Sequence, residues 1–213
     1  GLSDVKLVKG RGVYIYNKMS GRIEIILGCM FSGKSSELMR RISRYNAVNM
    51  STLVINSMLD NRCEDNQIMT HSKQTHSAIK LNNLMDLADD PNFFKIKVFG
   101  IDEAQFFPDL VEFVKFAEKY NKTVIIAGLD GDFNREPFGQ ILNCIPLCDE
   151  VVKLTAMDMI SKDASPAIFS KRIIADNKQI HVGAQGEYVA VSRKNYFADT
   201  KYAGRSEYDY DSH

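Results

Sequence analysis

The sequence predicts an α/β protein, with an open parallel sheet, helices on both of its faces and a small C-terminal subdomain. Short runs of β-branched residues recur along the chain, and segments with apolar residues at helical spacing separate them. This alternation is typical of parallel β-α-β units. The composition, 45% hydrophobic and 25% charged residues, is that of a globular protein.

The charge and hydropathy of the 213 residues exclude several classes of function. The 27 basic residues balance 27 acidic ones, whereas a dedicated binder of nucleic acid or acidic membrane carries a basic excess. No run approaches the ~18 consecutive apolar residues of a transmembrane helix. We therefore expect neither nucleic acid nor a membrane among the partners.

The elements follow from local patterns. The predicted strands are, in chain order, 22–27, 52–55, 96–101, 123–129 and 150–154. Apolar residues three and four positions apart predict helices from Ser35 to Tyr45 and from Phe106 to Ala117. The polar stretch 60–80 shows no sustained period and is long for a connection, so we expect it to be mobile or functional.

These elements divide the chain into four parts. The parts are an N-terminal arm (1–20), an α/β core (21–155), a small subdomain (156–197) and a tail (198–213). In the subdomain, alternating segments at 179–182 and 188–191 flank two glycines, a pattern that predicts a hairpin. The tail lacks an apolar face, so we expect it to be disordered.

The segment Gly28–Ser35, GCMFSGKS, fits the P-loop motif G-x-x-x-x-G-K-[ST]. It follows a β-branched strand and opens a helix, the setting in which backbone N–H groups surround phosphate oxygens. We expect Lys34 to lie along the β- and γ-phosphates of ATP and Ser35 to ligate Mg²⁺. The residues assigned to phosphate binding are Gly28, Met30, Phe31, Ser32, Gly33, Lys34, Ser35 and Ser36. The alternative is an ordinary glycine turn with a surface lysine.

An acidic pair, Asp102 and Glu103, closes the third predicted strand. The carboxyl end of a parallel strand faces the ligand crevice, where P-loop proteins hold Mg²⁺. Asp102 is therefore assigned to the metal, acting through water, and Glu103 is free to serve as general base. The alternative is a pair of helix-initiating acids stabilised by the helix dipole. The P-loop does not identify the acceptor, which is water in an ATPase and a hydroxyl group in a kinase.

Two further segments carry a family resemblance. Together with the P-loop, the segments 102–108 (DEAQFFP) and 127–138 (AGLDGDFNREPF) resemble the type II thymidine kinases, the cellular and poxviral family. The resemblance continues through 151–155 and 170–172. It implies a RecA-like P-loop core and a lasso subdomain that closes over the nucleoside. It also implies transfer of the γ-phosphate of ATP to the 5′-hydroxyl of deoxythymidine, with Glu103 as the base.

The resemblance also assigns residues to the two substrates. It implies that Asp60, Arg62 and Gln105 lie on the nucleotide side and that Met30, Phe106, Leu129 and Phe133 enclose thymine. Ser170 matches the position beside the thymine methyl group, where a threonine is usual in cellular members. The lasso residues assigned to thymidine are Val182, Gly183, Gln185, Gly186 and Tyr188. By spacing alone Phe106 and Phe133 would be core residues, and a solvated loop is the alternative for Asp60 and Arg62.

The sequence departs from the family at its structural zinc site. Most relatives hold zinc with two Cys-x-x-Cys pairs, but the matching positions here are Asp158, Ser161, Ser192 and Asn195. Because serine and asparagine are poor zinc ligands, we predict no structural zinc. We expect packing, polar contacts among these positions or neighbouring subunits to hold the subdomain.

The remaining expectations concern location and assembly. The four cysteines, at positions 29, 63, 144 and 148, do not indicate a disulfide framework in a chain of this length, so we expect reduced thiols and a cytoplasmic location. The resemblance implies a homo-oligomer, and the family leads us to expect a tetramer.

Two other classes of function stay open. A P-loop ATPase would hydrolyse ATP to drive a partner, with Glu103 polarising water, but no arginine finger is identifiable in the sequence. A non-catalytic nucleotide-binding protein would account for the missing zinc ligands, yet Lys34, Ser35, Asp102 and Glu103 are all intact.

Overall fold

A computed structural model describes residues 21–59, 78–173 and 188–198. The strands of its main sheet are β1 (Arg22–Gly28), β2 (Thr52–Ser57), β3 (Ala78–Leu81), β4 (Val98–Ile101), β5 (Thr123–Gly128) and β6 (Glu150–Leu154). They lie in the order β3-β2-β4-β5-β1-β6, and every pair is parallel. The predicted arm, and the tail beyond residue 198, lie outside the described residues.

In the described part of the chain, helices pack on both faces of this sheet. Helix α1 (Lys34–Ala47) packs through Leu38 and Ile42 on one face, against Ile26 of β1. Helix α2 (Leu110–Lys119) packs through Phe113 on the other face, where the ring of Phe113 meets that of Phe99 edge to face. Successive residues of a strand point to opposite faces, so each central strand serves both cores. The predicted α/β fold with helices on both faces is therefore confirmed.

Two elements differ from the sequence prediction. The polar stretch ends in β3, which pairs with β2 at the edge of the sheet. Helix α2 begins at Leu110 rather than at Phe106, because Phe107 is extended (φ −88°, ψ 115°). Pro108 disfavours a helical conformation at the residue before it, so the chain makes only a 3₁₀ turn over Ala104–Phe106 before the helix.

Residues beyond β6 form a smaller unit. Its elements are β7 (Ala156–Met157), β8 (Pro166–Ala167), β9 (Phe169–Arg172), β10 (Tyr188–Val191) and the short helix α3 (Arg193–Phe197). Strand β7 pairs antiparallel with β8, and β9 pairs antiparallel with β10. The predicted strand at 188–191 is thus present, but among the described residues its partner is β9, and the segment 179–182 lies outside them. No helix in the described ranges is long and apolar enough to cross a membrane.

Candidate active site

The loop between β1 and α1 depends on two glycines. Gly33 precedes α1 with φ +85°, a left-handed conformation that disfavours other residues. At Gly28, a Cβ atom would lie 2.7 Å from the carbonyl oxygen of Leu154 and 2.5 Å from the hydroxyl oxygen of Ser32. That Ser32 oxygen is buried and has no hydrogen-bond partner in the described part of the chain. The glycines therefore let the backbone turn tightly beside β6.

Lys34 is the first residue of α1, and its side chain folds back over the loop. The ammonium group donates to the carbonyl oxygen of Cys29 at 2.7 Å. Only 7% of the residue is exposed, so the positive charge is held against the loop. The N-terminus of α1 adds the partial positive charge of its free N–H groups. This end of the helix is therefore suited to bind an anion such as phosphate.

The acidic pair meets the P-loop in space. Oδ1 of Asp102 accepts hydrogen bonds from the hydroxyl of Ser35 at 3.0 Å and from the backbone N–H of Glu103 at 2.9 Å. Asp102 itself follows β4, and its N–H donates to the carbonyl of Ile55 in β2. Two motifs that lie 67 residues apart in the sequence thus present a hydroxyl and a carboxylate side by side.

Glu103 has a left-handed backbone, with φ 48° and ψ 43°. Such a conformation is unfavourable for a glutamate and often accompanies a functional site. Its Oε2 accepts a hydrogen bond of 2.6 Å from the side chain of Gln105, whose own oxygen accepts from the N–H of Leu129 at 3.1 Å. A Cβ at Gly128 would lie 2.6 Å from that Gln105 oxygen. Gln105, 3% exposed, therefore connects Glu103 to the end of β5.

A cavity of about 720 Å³ lies at the carboxyl ends of the parallel strands. This is where open α/β sheets bind ligands. The predicted residues that line it are Met30, Phe31, Gly33, Lys34, Ser35, Ser36, Glu103, Gln105, Phe106, Leu129, Phe133, Ser170 and Tyr188. Phosphate-side and thymine-side predictions thus share one cavity.

One wall of the cavity is aromatic. Phe106 meets Phe138 edge to face with ring centroids 5.6 Å apart, and Phe133 lies 6.2 Å from the ring of Tyr188. The hydroxyl oxygen of Ser170 accepts from the N–H of Met30 at 3.0 Å, so β9 contacts the P-loop directly. Flat aromatic faces and apolar side chains suit a planar heterocyclic ring.

Three of the predicted site residues are not among those that line the cavity. They are Gly28, Ser32 and Asp102, of which Asp102 contacts the cavity residue Ser35. The lining residues that sequence reasoning missed are Leu59, Gly131, Asp132 and Phe138. Gly131, Asp132 and Phe138 lie within the segment 127–138 that carries the family resemblance, and this segment is the signal in the sequence that could have identified them. The assigned residues Asp60, Arg62, Val182, Gly183, Gln185 and Gly186 lie outside the described residues.

The four positions that match the family's zinc cysteines form a hydrogen-bonded cluster. Oδ1 of Asp158 accepts from the backbone N–H groups of Ile160 and Ser161, and Oδ2 accepts from the N–H of Ser192 and the side chain of Asn195 at 2.7 and 2.9 Å. Asn195 also donates to the hydroxyl of Ser161 at 2.7 Å. Burial alone would raise the pKa of Asp158, but these hydrogen bonds outweigh it and lower the pKa.

The cysteines in the described ranges are free thiols. Cys29 and Cys144 are buried, and burial raises the pKa of each, to about 11 at Cys144. Cys148 is partly exposed. Among the described residues no three His, Cys, Asp or Glu side chains come together as a metal site.

The parallel sheet, the glycine-rich loop before α1 and the acidic pair after β4 define a P-loop α/β protein that binds a nucleotide. The chain belongs to the thymidine kinase family, whose sequence profile, described as "Thymidine kinase", matches residues 21–196.

Curated relatives agree with this membership. The chain is 42% identical over 181 residues to the cytosolic thymidine kinase of Homo sapiens, covering 85% of this chain and 75% of that protein. It is 44% identical over 182 residues to the thymidine kinase of Yaba monkey tumor virus, covering 85% and 97% of the two chains. It is 39% identical over 189 residues to thymidine kinase 1 of Dictyostelium discoideum, covering 87% and 82%.

Proposed function

We propose that this protein is a thymidine kinase that transfers the γ-phosphate of ATP to the 5′-hydroxyl of deoxythymidine, forming dTMP. The observation that carries the proposal is one cavity lined both by Lys34 of the P-loop and by the aromatic rings of Phe106 and Phe133. Its volume, about 720 Å³, is typical of small-molecule sites. Membership of the thymidine kinase family supports thymidine as the acceptor.

In this proposal the phosphates of ATP bind at the N-terminus of α1. Backbone N–H groups of the P-loop donate to the phosphate oxygens, and Lys34 neutralises charge on the β- and γ-phosphates. Its ammonium lies against the loop, 2.7 Å from the Cys29 carbonyl oxygen, which keeps the positive charge beside the proposed phosphate site. Asp60 and Arg62 belong to the same phosphate site in the proposal.

The residues beside the P-loop fit a magnesium ion. Mg²⁺ prefers oxygen ligands and keeps several of its waters. The hydroxyl of Ser35 and the carboxylate of Asp102, 3.0 Å apart, are such ligands, with Ser35 bound directly and Asp102 acting through water. The ion would supply charge neutralisation on the transferring phosphoryl group.

Glu103 is the proposed general base. Its carboxylate takes the proton of the 5′-hydroxyl while the 5′-oxygen bonds to the γ-phosphorus, and the bond from that phosphorus to the β–γ bridging oxygen breaks to release ADP. The hydrogen bond from Gln105 and the left-handed backbone support this role, because they hold the carboxylate at the cavity surface. Apart from this proton transfer, the protein contributes to the reaction mainly by positioning the two substrates.

The thymine ring is proposed to lie against the aromatic wall. Phe106 and Phe133 would face the ring, with Met30 and Leu129 completing an apolar enclosure that excludes water. Ser170 would lie near the methyl group, and Tyr188 would pack on the nucleoside. The lasso residues Val182, Gly183, Gln185 and Gly186 belong to the proposal as backbone contacts to thymidine.

The proposal includes a lasso subdomain, residues 156–197, without structural zinc. The cluster around Asp158 supports this, because both of its carboxylate oxygens already accept two hydrogen bonds each. A carboxylate satisfied in this way has little capacity left to bind a metal. A cytoplasmic location and a homotetramer complete the proposal.

The test is a panel of the four common deoxynucleosides with γ-labelled ATP and Mg²⁺. We expect label in dTMP and much less in the products of deoxycytidine, deoxyadenosine and deoxyguanosine. Equal hydrolysis of ATP without any nucleoside would favour the ATPase alternative, and ATP binding without turnover would favour the non-catalytic one. Metal analysis of the same preparation should find no stoichiometric zinc.

A further inference from the structure

The cavity wall includes a short hairpin, residues 130–138, that lies outside the main sheet. An isolated antiparallel bridge joins Gly131 to Pro137, and Oδ1 of Asp132 accepts from the N–H groups of Asn134 and Glu136 at 2.8 and 3.0 Å. These contacts shape the hairpin but do not fix it to the rest of the molecule. Since the hairpin carries Phe133 into the cavity, its attachment decides where that ring lies.

Arg135 attaches the tip of the hairpin to the C-terminal unit. Its guanidinium carbon lies 4.5 Å from the ring centroid of Tyr196, 4.8 Å from that of Phe197 and 5.3 Å from that of Phe169. A cation within about 6 Å of an aromatic face is attracted by the ring quadrupole. Arg135 is not among the residues that line the cavity, so its contacts with these rings lie outside the cavity wall.

A second contact joins the same two parts. The phenol group of Tyr196 donates a hydrogen bond of 2.9 Å to the backbone carbonyl of Phe133. Tyr196 therefore holds the hairpin twice, through its ring beneath Arg135 and through its hydroxyl on Phe133.

The platform that carries these rings is itself anchored. Lys171 of β9 donates to the carbonyl oxygens of Asn195 and Ala198 at 2.9 and 2.8 Å, which ties the middle and the C-terminal end of α3 to β9. Asn195 in turn donates to Asp158. These hydrogen bonds hold α3 in place. Contacts from Tyr196 and Phe197 therefore restrict the position of the hairpin, and α3 does not move with it.

We propose that Arg135 and Tyr196 are positioning residues for the nucleoside site: they fix Phe133 from behind and so set the affinity for thymidine without touching it. Phe133 also lies 6.2 Å from the ring of Tyr188 and 5.6 Å from the guanidinium of Arg172. A displacement of Phe133 would therefore also disturb its contacts with Tyr188 and Arg172. The proposal rests on the proposed thymidine kinase function. It adds two residues that lie outside the cavity to those that determine the affinity for thymidine.

The experiment compares Tyr196→Phe and Arg135→Met with the wild type. Tyr196→Phe removes only the hydroxyl and keeps the ring beneath Arg135. We expect the KM and Kd for thymidine to rise about three- to tenfold in each variant, since each loses contacts of modest individual strength. The kcat and the KM for ATP should stay within about twofold of the wild type. Arg135→Lys, which keeps a cation over the rings, should recover part of the affinity.

The chain offers a matched control in Arg193. Its guanidinium also stacks on Phe169, at 5.1 Å, but it belongs to α3 and not to the hairpin. Arg193→Met should therefore leave the KM for thymidine unchanged. Circular dichroism and thermal melting verify that each variant is folded.

Several outcomes overturn the inference. They are an unchanged thymidine KM in folded Tyr196→Phe and Arg135→Met, an equal rise in Arg193→Met, or a parallel loss of ATP affinity and kcat that marks a general structural defect. A wild type that phosphorylates no nucleoside overturns the proposed function and this inference together. An active wild type with unaffected variants overturns the inference alone.

Discussion

The side-chain amide of Gln105 donates a 2.6 Å hydrogen bond to Oε2 of Glu103. Through its oxygen the same side chain accepts from the N–H of Leu129. Gln105 was assigned to the nucleotide side, and these contacts suggest a different role, in which it orients the proposed general base relative to the thymine wall. Because a displacement of about 1 Å can reduce a rate about 100-fold, this contact is a sensitive point.

Gln105→Met tests that role. The substitution keeps the approximate shape of the side chain and removes both hydrogen bonds, so we expect kcat to fall at least about tenfold because Glu103 is no longer held. The KM for MgATP should change little. Steady-state kinetics with each substrate varied in turn measure both quantities.

Gln140→Met is the matched control for this prediction. Gln140 likewise accepts from one backbone N–H, that of Val111, and donates to one carbonyl, that of Pro108, but it does not line the cavity. Its substitution should reduce stability without a comparable loss of kcat. A raised KM for MgATP with unchanged kcat in Gln105→Met would instead support direct nucleotide binding.

Lys34→Ala should abolish phosphoryl transfer while the fold survives. The ammonium donates to the loop carbonyl of Cys29 at 2.7 Å, and its charge is needed where negative charge develops on the phosphates. We expect a loss of at least about 100-fold in kcat, with the melting temperature within a few degrees of the wild type, measured by radiolabel transfer and calorimetry.

Lys153→Ala provides the comparison for Lys34. Lys153 forms an ion pair with Asp130 at 2.6 Å, and half of its side chain is exposed. Exposed pairs contribute little to stability, and Lys153 does not line the main cavity.

For the Lys34→Ala variant itself, near-normal activity would refute the assignment of the phosphate site.

Gly33→Ala should strain the start of α1. Among the described residues a Cβ there meets nothing within 4 Å, so the expected penalty is that of the left-handed backbone at φ +85°, which costs about 1–2 kcal/mol for a residue with a Cβ. We expect that loss in the free energy of unfolding, together with weaker ATP binding. Gly131→Ala, where the Cβ meets only ordinary contacts, should change stability by less. Chemical denaturation compares the two, and equal losses would exclude backbone strain as the cause.

Asp158→Asn should destabilise the C-terminal unit. An amide cannot accept at both terminal atoms, so two of the buried donors lose a partner, at a cost of about 1–3 kcal/mol each. The folded-state pKa of Asp158 lies below its unfolded value of about 3.9, so the charged form stabilises the fold above that value. The difference in unfolding free energy between wild type and variant should therefore be constant from about pH 5 to 8 and shrink as pH falls below about 4.

Denaturation of both proteins across this pH range provides the measurement. Asp163→Asn is a suitable control, because Asp163 is exposed and its acceptor contact within the described ranges is with the nearby Ser165. A variant as stable as the wild type at neutral pH would show that the cluster does not support the unit.

Local patterns predicted most of the main sheet. The β-branched runs of β1 and β5 and the apolar stripe of α1 are strong signals, because burial on both faces demands them. Strand β3 was missed since its four residues follow a long polar stretch and all are only partly buried. The early start predicted for α2 ignored the restriction that Pro108 places on Phe107.

The assignments of site residues had the same two sources of signal. The P-loop signature and its setting after a strand led to the phosphate-side assignments, and the family resemblance led to the thymine-side assignments, and both stay predictions. The contacts of Gln105 with Glu103 and of Arg135 with Tyr196 were not foreseen. Each depends on how a side chain is oriented by tertiary packing, and neither residue pattern nor spacing reports that orientation.

The central claim is that Glu103 accepts the proton of the nucleoside hydroxyl. The most direct test is Glu103→Gln, with dTMP formation measured in a single turnover and thymidine binding measured by calorimetry on the same preparation. The account predicts that dTMP formation is lost while the thymidine Kd stays within about threefold of the wild type. Wild-type turnover in the folded variant would contradict it.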